Sequence, residues 1–236
     1  MELDLEFMYA TFFKILAGVS TTLELTALAL FLAAPVAFYL AVLRLQGSPV
    51  GRGLVRFYVS FVRGTPIVLQ ILLLYSLLPS LLNTLLKAAG SSFNVFDQIN
   101  PFWYAVVIFT LNTIALLAEV FRSSLLSIPQ GQLEAGLSVG LSRLETFLHV
   151  IIPQALVVAL PSICNITVNL IKGTSLAFLM TVKDVLAIGK IAASFGYNYI
   201  ESYLDVFVVY IILCTLVQFL YGWLEKRASA FRAARV

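Results

Sequence analysis

Asn165, Asn169 and Lys172 recur at spacings of four and three, which places them along one stripe of a helix, with Thr174 and Ser175 just beyond. Amide, ammonium and hydroxyl groups in a row can hold the polar groups of a solute. They supply no nucleophile with its base. Their surroundings are overwhelmingly apolar, and a polar group at membrane depth is costly enough that it normally faces a bundle interior or a cavity. Glu24, Gln70, Asn112 and Thr113 lie in similar surroundings. Two readings stand for such residues: the lining of a translocation path, or hydrogen-bonded glue between helices. Glu24 lies near the outer part of its apolar stretch, where a small shift would leave it at the interface. Glu119 and Arg122 are three apart and can pair as a structural or gating ion pair.

Other reactive residue types point away from catalysis. His149 is the only histidine, so there is no His-rich metal site and no evident base partner for a serine or cysteine nucleophile. Cys164 and Cys214 sit inside apolar runs without metal-ligand spacing and read as small buried hydrophobes. No Gly-x-x-x-x-Gly-Lys-Ser/Thr loop occurs, so the chain cannot cradle ATP in the usual way. Paired carboxylates suited to an enzyme and a filter motif suited to a channel are both absent.

The elements that carry these residues are dictated by composition. Hydrophobic residues make up 61% of the chain and charged residues 11%, against roughly 45–50% and 25% in soluble domains. Lipid is the natural solvent. A spanning helix needs roughly 20 mainly apolar residues, and five stretches qualify: Thr22–Leu43, Ile67–Leu86, Phe102–Val120, Ala155–Met180 and Leu204–Leu224. Backbone polar groups in hydrocarbon must be satisfied within their own segment, so these are helices, and the alternating strands of a barrel are missing. The expectation is one all-α integral membrane domain over residues 1–236. The acidic start, with Asp4 and Glu6, is unlike a secretory signal.

Short cytoplasmic loops are rich in Lys and Arg. An outside amino terminus puts Arg44, Arg52, Arg56, Arg63, Arg122, Arg143, Lys226, Arg227, Arg232 and Arg235 inside, ten of the fifteen basic residues. The net charge of +3 is then a matter of topology and not of nucleic-acid binding. In this reading Arg44–Arg63 is a basic cytoplasmic stretch ending in Arg63-Gly-Thr-Pro66 at a helix start. Ser123–His149 is the longest polar cytoplasmic excursion, Lys87–Pro101 is an outer connection, and Lys183–Lys190 is a short helix.

Within the cytoplasmic excursion stand Glu134-Ala-Gly136, Gly140 and, after nine residues, Val150-Ile-Ile-Pro153. This pattern resembles the Glu-Ala-Ala, Gly, Ile, Leu-Pro signature of ABC importer permeases, with Gly136 in place of the usual Ala. Arg63-Gly-Thr-Pro-Ile-Val-Leu-Gln70, Glu119-Val-Phe-Arg122, Lys172-Gly-Thr-Ser-Leu-Ala177 and Lys183-Asp184 are similar to further signatures of the polar-amino-acid branch of that family. The resemblance covers about 20–227. It implies that Glu134, Ala135, Gly136, Gly140 and Pro153, within about 123–153, form the coupling helix that docks on an ATPase. Small residues at 135 and 136 would allow close approach, and Gly140 the turn.

It implies further that this chain holds no cofactor, ATP and Mg being bound by a separate ATPase. The family pattern implies two ATPase subunits, a second permease copy or paralogue, and an extracytoplasmic solute-binding protein. Asn112, Asn165, Asn169, Lys172, Thr174, Ser175 and Glu24 are the candidates for the substrate path. Gly173 replaces the aspartate of the Lys-Asp-Thr-Ser-Leu form in many relatives, removing a negative charge. The expectation is therefore import of a neutral or acidic amino acid, cystine included, across the bacterial cytoplasmic membrane. An ATPase-independent channel or solute carrier is the alternative.

Overall fold

Capped apolar runs build the molecule. In the computed structural model, which describes residues 3–91 and 95–233, every regular element among the described residues is helical. α1 (Leu5–Gln46) is capped by Asp4, whose carboxylate accepts from the Phe7 amide, and α2 (Pro49–Gly64) by Ser48, whose hydroxyl accepts from Gly51. Then come α3 (Ile67–Ala88), the single turn α4 (Val95–Gln98) and α5 (Pro101–Leu126), opened by Asn100 accepting from Phe102. Two short helices follow, α6 (Gly131–Ser138) and α7 (Arg143–Thr146). A π turn at Phe147–Ile151 leads into α8 (Ile152–Gly173), and a 3₁₀ stretch at Thr174–Met180 leads out of it. α9 (Val185–Ser194) and α10 (Tyr199–Ala233) complete the chain.

Among the described residues five helices are long and apolar enough to cross a membrane, each containing or overlapping one of the five expected stretches. α1 is the one that differs most. Its 42 residues span roughly 63 Å at 1.5 Å per residue, about twice a hydrocarbon core. The helix starts at Leu5 because Tyr9–Val19 is apolar around a single Lys14, and Asp4 supplies the cap.

α1 meets α5 along a ladder of small residues. Ala29, Ala33, Ala37 and Ala41 are fully buried, so the two backbones approach closely, as small residues permit between membrane helices. Ala105, Ala115 and Ala118 answer from α5.

The 44–63 stretch departs from expectation: most of it is α2. Val55 and Val59, four apart, pack against Ala33, Ala37 and Ala41 of α1 and Ile114, Ala115 and Ala118 of α5. Arg52, Arg56 and Arg63 are exposed along the flank of that valine stripe. The Tyr58 hydroxyl donates to the Leu111 carbonyl at 2.5 Å, so α2 climbs alongside α5 to its middle. Arg63-Gly-Thr-Pro66 leads into α3 at Ile67, the helix start expected of it, at the level of the middle of α5. The expected short helix at 183–190 is α9, shifted by its Asp184 cap. Residues 92–94 of the 87–101 connection, and Arg235 in the tail, lie outside the described residues.

Candidate translocation path and coupling segment

α8 buries an apolar face and exposes a polar one. Ala155, Ala159, Val168, Leu170 and Ile171 face the bundle, while Asn165, Asn169 and Lys172 are exposed along one stripe. A helix solvated by water would look like this. An ammonium and two amides are costly against lipid tails, and such groups normally face an aqueous cavity or another protein surface.

Pro66 has no N–H to give the Val62 carbonyl, four residues back, and α2 stops there. The Gln70 side-chain amide takes over that duty, donating to the Val62 carbonyl at 2.8 Å, and also to the Thr65 hydroxyl at 2.8 Å and the Thr65 carbonyl at 3.1 Å. Its own oxygen accepts from the Asn112 amide at 3.0 Å. A helix break is thus sealed by one glutamine and tied to the middle of α5. Phe109, one turn from Asn112, lies 3.7 Å from where a Cβ on Gly173 would sit, so α5 brings this node close to the end of the α8 stripe.

Other candidate path residues are placed elsewhere. Thr174 is fully buried and donates its hydroxyl to the Ile171 carbonyl at 2.7 Å, and Ser175 likewise to Lys172 at 2.7 Å, so neither hydroxyl is left over as a donor. Glu24 is exposed on α1 opposite its packing face of Thr22, Leu25 and Ala29, apart from the α5–α8 group.

A polar joint lies beyond the stripe. Asp184 is fully buried, accepts from the Ala187 amide at 2.9 Å and from the Tyr210 hydroxyl at 2.9 Å, and so holds α9 to α10. Burial pushes its carboxyl above the ordinary aspartate value, while these donors pull it down. Gly18 lets α1 close on the same point: a Cβ there would come within 2.5 Å of the Val185 nitrogen. Lys183-Asp184 was visible in the sequence as a motif, whereas Tyr210 and Gly18 carried no local signal.

At the opposite end of the bundle α6 and α7 form a hairpin. Gly140, at φ 89°, ends α6 with the Leu141 amide on the Gly136 carbonyl and the Gly140 amide on Leu137, a Schellman closure. Ser142 and Glu145 form a reciprocal capping box that starts α7. Gly136 is buried against Thr146 of its own hairpin, where a Cβ would meet Thr146 Cγ2 at 2.4 Å; Glu134 and Ala135 are exposed. Pro153 cannot donate to His149, and the chain widens there into the π turn, with the Ile152 amide reaching Phe147. Gln154 Nε2 donates to Gln132 Oε1 at 3.2 Å and ties the hairpin to α8.

Glu119 pairs with Arg122 as its spacing suggested, and also with Arg44 of α1, which clamps α1 to α5 just above the hairpin. Under the clamp is a cavity of about 670 Å³, lined chiefly by Leu45, Leu125, Ile128, Leu133, Phe147 and Arg143.

Residues 12–230 match the family model described as binding-protein-dependent transport system inner membrane component. The chain belongs to that family. The permease is 34% identical over 227 residues to the probable amino-acid permease protein YxeN of Bacillus subtilis (strain 168), covering 96% of each chain. It is 32% identical over 211 residues to the L-cystine transport system permease protein TcyL of the same organism, covering 89% of this chain and 85% of the relative. Among solved structures, an amino acid ABC transporter crystallised with histidines superposes with a TM-score of 0.80 at 25% identity, covering 96% of this chain and all of that one. The permease is accordingly the membrane subunit of an amino-acid ABC importer. Permeases of this family have no nucleotide site or cofactor of their own, and work with a separate ATPase and a binding protein.

Proposed function

We propose that this permease forms half of a path moving a neutral or acidic polar amino acid, cystine included, inward by alternating access. It works with a second copy or paralogue, two ATPase subunits and an extracytoplasmic solute-binding protein. The observation that carries the substrate class is the exposed stripe of Asn165, Asn169 and Lys172, beside a node where Gln70 and Asn112 are already paired. Lys172 makes no ion pair among the described residues and attracts a carboxylate. Position 173, next to the node, is glycine and brings no anion to attract a cationic side chain. Likeness to the cystine permease TcyL agrees with this class.

The proposed orientation has the amino terminus outside and the carboxyl terminus in the bacterial cytoplasm, from basic residues that lie outside α2, such as Arg44, Arg122, Arg143, Lys226 and Arg227. The α6–α7 hairpin then faces the cytoplasm, and exposed Glu134 and Ala135 meet the ATPase, with Gly136, Gly140 and Pro153 shaping the hairpin behind them. Uptake by the reconstituted complex with its cognate binding protein, run against a panel of amino acids, tests the reading. Cystine or a neutral or acidic amino acid is expected to be preferred, and strong preference for lysine or arginine overturns it.

A further inference from the structure

The cavity beneath the Arg44–Glu119–Arg122 clamp is built like an amphiphile site. Its walls continue an apolar cluster of Leu125, Ile128 and Ala155, against which Phe38, Val42 and Ile151 pack. These residues belong to the ends of membrane-spanning helices and to the π turn, so the cavity opens where hydrocarbon gives way to headgroups. About 670 Å³ lies within the roughly 300–1,000 Å³ of sites that enclose organic ligands. The walls are mostly apolar and match hydrocarbon better than water.

The rim is charged. Arg143 is exposed and makes no ion pair among the described residues, whereas Arg44 and Arg122 are both engaged on Glu119. Gln46 and Gln130 add amide donors beside it. An apolar chamber with one free guanidinium at its mouth suits a ligand with a hydrocarbon tail and an anionic head. Basic pockets between membrane helices on the cytoplasmic side take anionic headgroups for the same reason.

We propose that this cavity holds an acyl chain of an anionic phospholipid whose phosphate rests on Arg143, and that the lipid braces the coupling hairpin. Leu133 faces the cavity from α6, and Ala135 lies about 160° around the helix from it. The lipid therefore touches the back of the helix whose front is offered to the ATPase. Removing it leaves the hairpin unsupported over an empty apolar space. The choice of leaflet rests on the orientation proposed above, but lipid retention is read on the purified complex without transport, so the two ideas fail separately.

The test uses the full importer in nanodiscs of phosphatidylethanolamine with or without phosphatidylglycerol. Native mass spectrometry counts retained phosphatidylglycerol, and ATPase stimulation by loaded binding protein reads coupling. Wild type is expected to retain the lipid and to be stimulated more strongly in its presence. Arg143→Gln is expected to lower retention about fivefold, the equivalent of ~1 kcal/mol for one basic group at an anionic surface. Arg143→Lys restores most of it, and Leu133→Trp, which narrows the chamber beside α6, lowers both retention and lipid-dependent stimulation. Equal retention by wild type, Arg143→Gln and Leu133→Trp overturns the proposal, as does retention with no change in stimulation. So does a photo-crosslinker at position 133 that captures the ATPase subunit instead of lipid.

Discussion

Gly136→Ala adds one methyl group, and the structure says where it goes. The new Cβ would lie 2.4 Å from Thr146 Cγ2, 2.6 Å from its Oγ1 and 3.0 Å from its Cβ, against an ordinary carbon–carbon contact of about 3.5–4.0 Å. Thr146 cannot swing away freely, because it is fully buried and its hydroxyl donates to the Ser142 carbonyl at 2.9 Å. Overpacking of this kind costs about 1–3 kcal/mol, which shifts a two-state equilibrium about 5- to 150-fold. The hairpin is expected to open, lowering ATP-driven uptake while the protein stays inserted. Thr146→Ala removes the two nearest of these three atoms and leaves Cβ, at the cost of about 1 kcal/mol for the hydroxyl bond. The double variant is therefore expected to be more stable and more active than Gly136→Ala alone, by thermal unfolding and by uptake of the reconstituted complex. Wild-type behaviour of Gly136→Ala, or a defect that Thr146→Ala does not relieve, refutes the packing argument.

Gly18→Ala drives a methyl into the Val185 and Asp184 backbone, which cannot rotate aside, so the loss in thermal unfolding is expected near the upper end of about 1–3 kcal/mol. Gln70→Leu leaves the Val62 and Thr65 carbonyls and the Asn112 amide without their partner; uptake and stability both fall, by about 1–3 kcal/mol in unfolding, and unchanged behaviour counts against the helix-break role. Glu119→Ala strands Arg44 and Arg122, each about a quarter exposed; destabilisation of about 1–2 kcal/mol is expected, discounted for solvent screening, and a neutral variant dismisses the clamp. Gly173→Asp has room beside Phe109, and uptake competition is expected to shift toward lysine and arginine; an unaltered profile removes position 173 from the path.

What the sequence revealed and what it hid divide along physical lines. Five spans were legible because each needs a long apolar run, and the Asn165–Asn169–Lys172 stripe because three and four are helical spacings. α2 was hidden by its three arginines, although Val55 and Val59 recur at helical spacing, because a basic stretch between spans reads as a loop. Gly136 was legible as a position needing a small residue. That the constraint comes from Thr146 within the same hairpin required the tertiary arrangement. Thr174 and Ser175 looked like donors because composition cannot show that their hydroxyls are spent on carbonyls three residues back. Arg44 pairs with Glu119 across 75 positions of chain, a separation no local pattern reaches.

A ribosome making this protein delivers α2 to the insertion machinery before α5 exists. Arg52, Arg56 and Arg63 would each cost roughly 2.5–3.5 kcal/mol at the centre of an inserting helix, so α2 does not partition into the bilayer on its own. Its acceptor is the Leu111 carbonyl for Tyr58, and the partner of Gln70 at the break is Asn112; both are synthesised later. The newborn segment is expected to wait at the bilayer surface until the third span arrives and offers it these partners. Variants at Tyr58, Gln70 or Asn112 are expected to lengthen that wait and with it the exposure of α2 to quality-control proteases, read as a shorter half-life in pulse-chase.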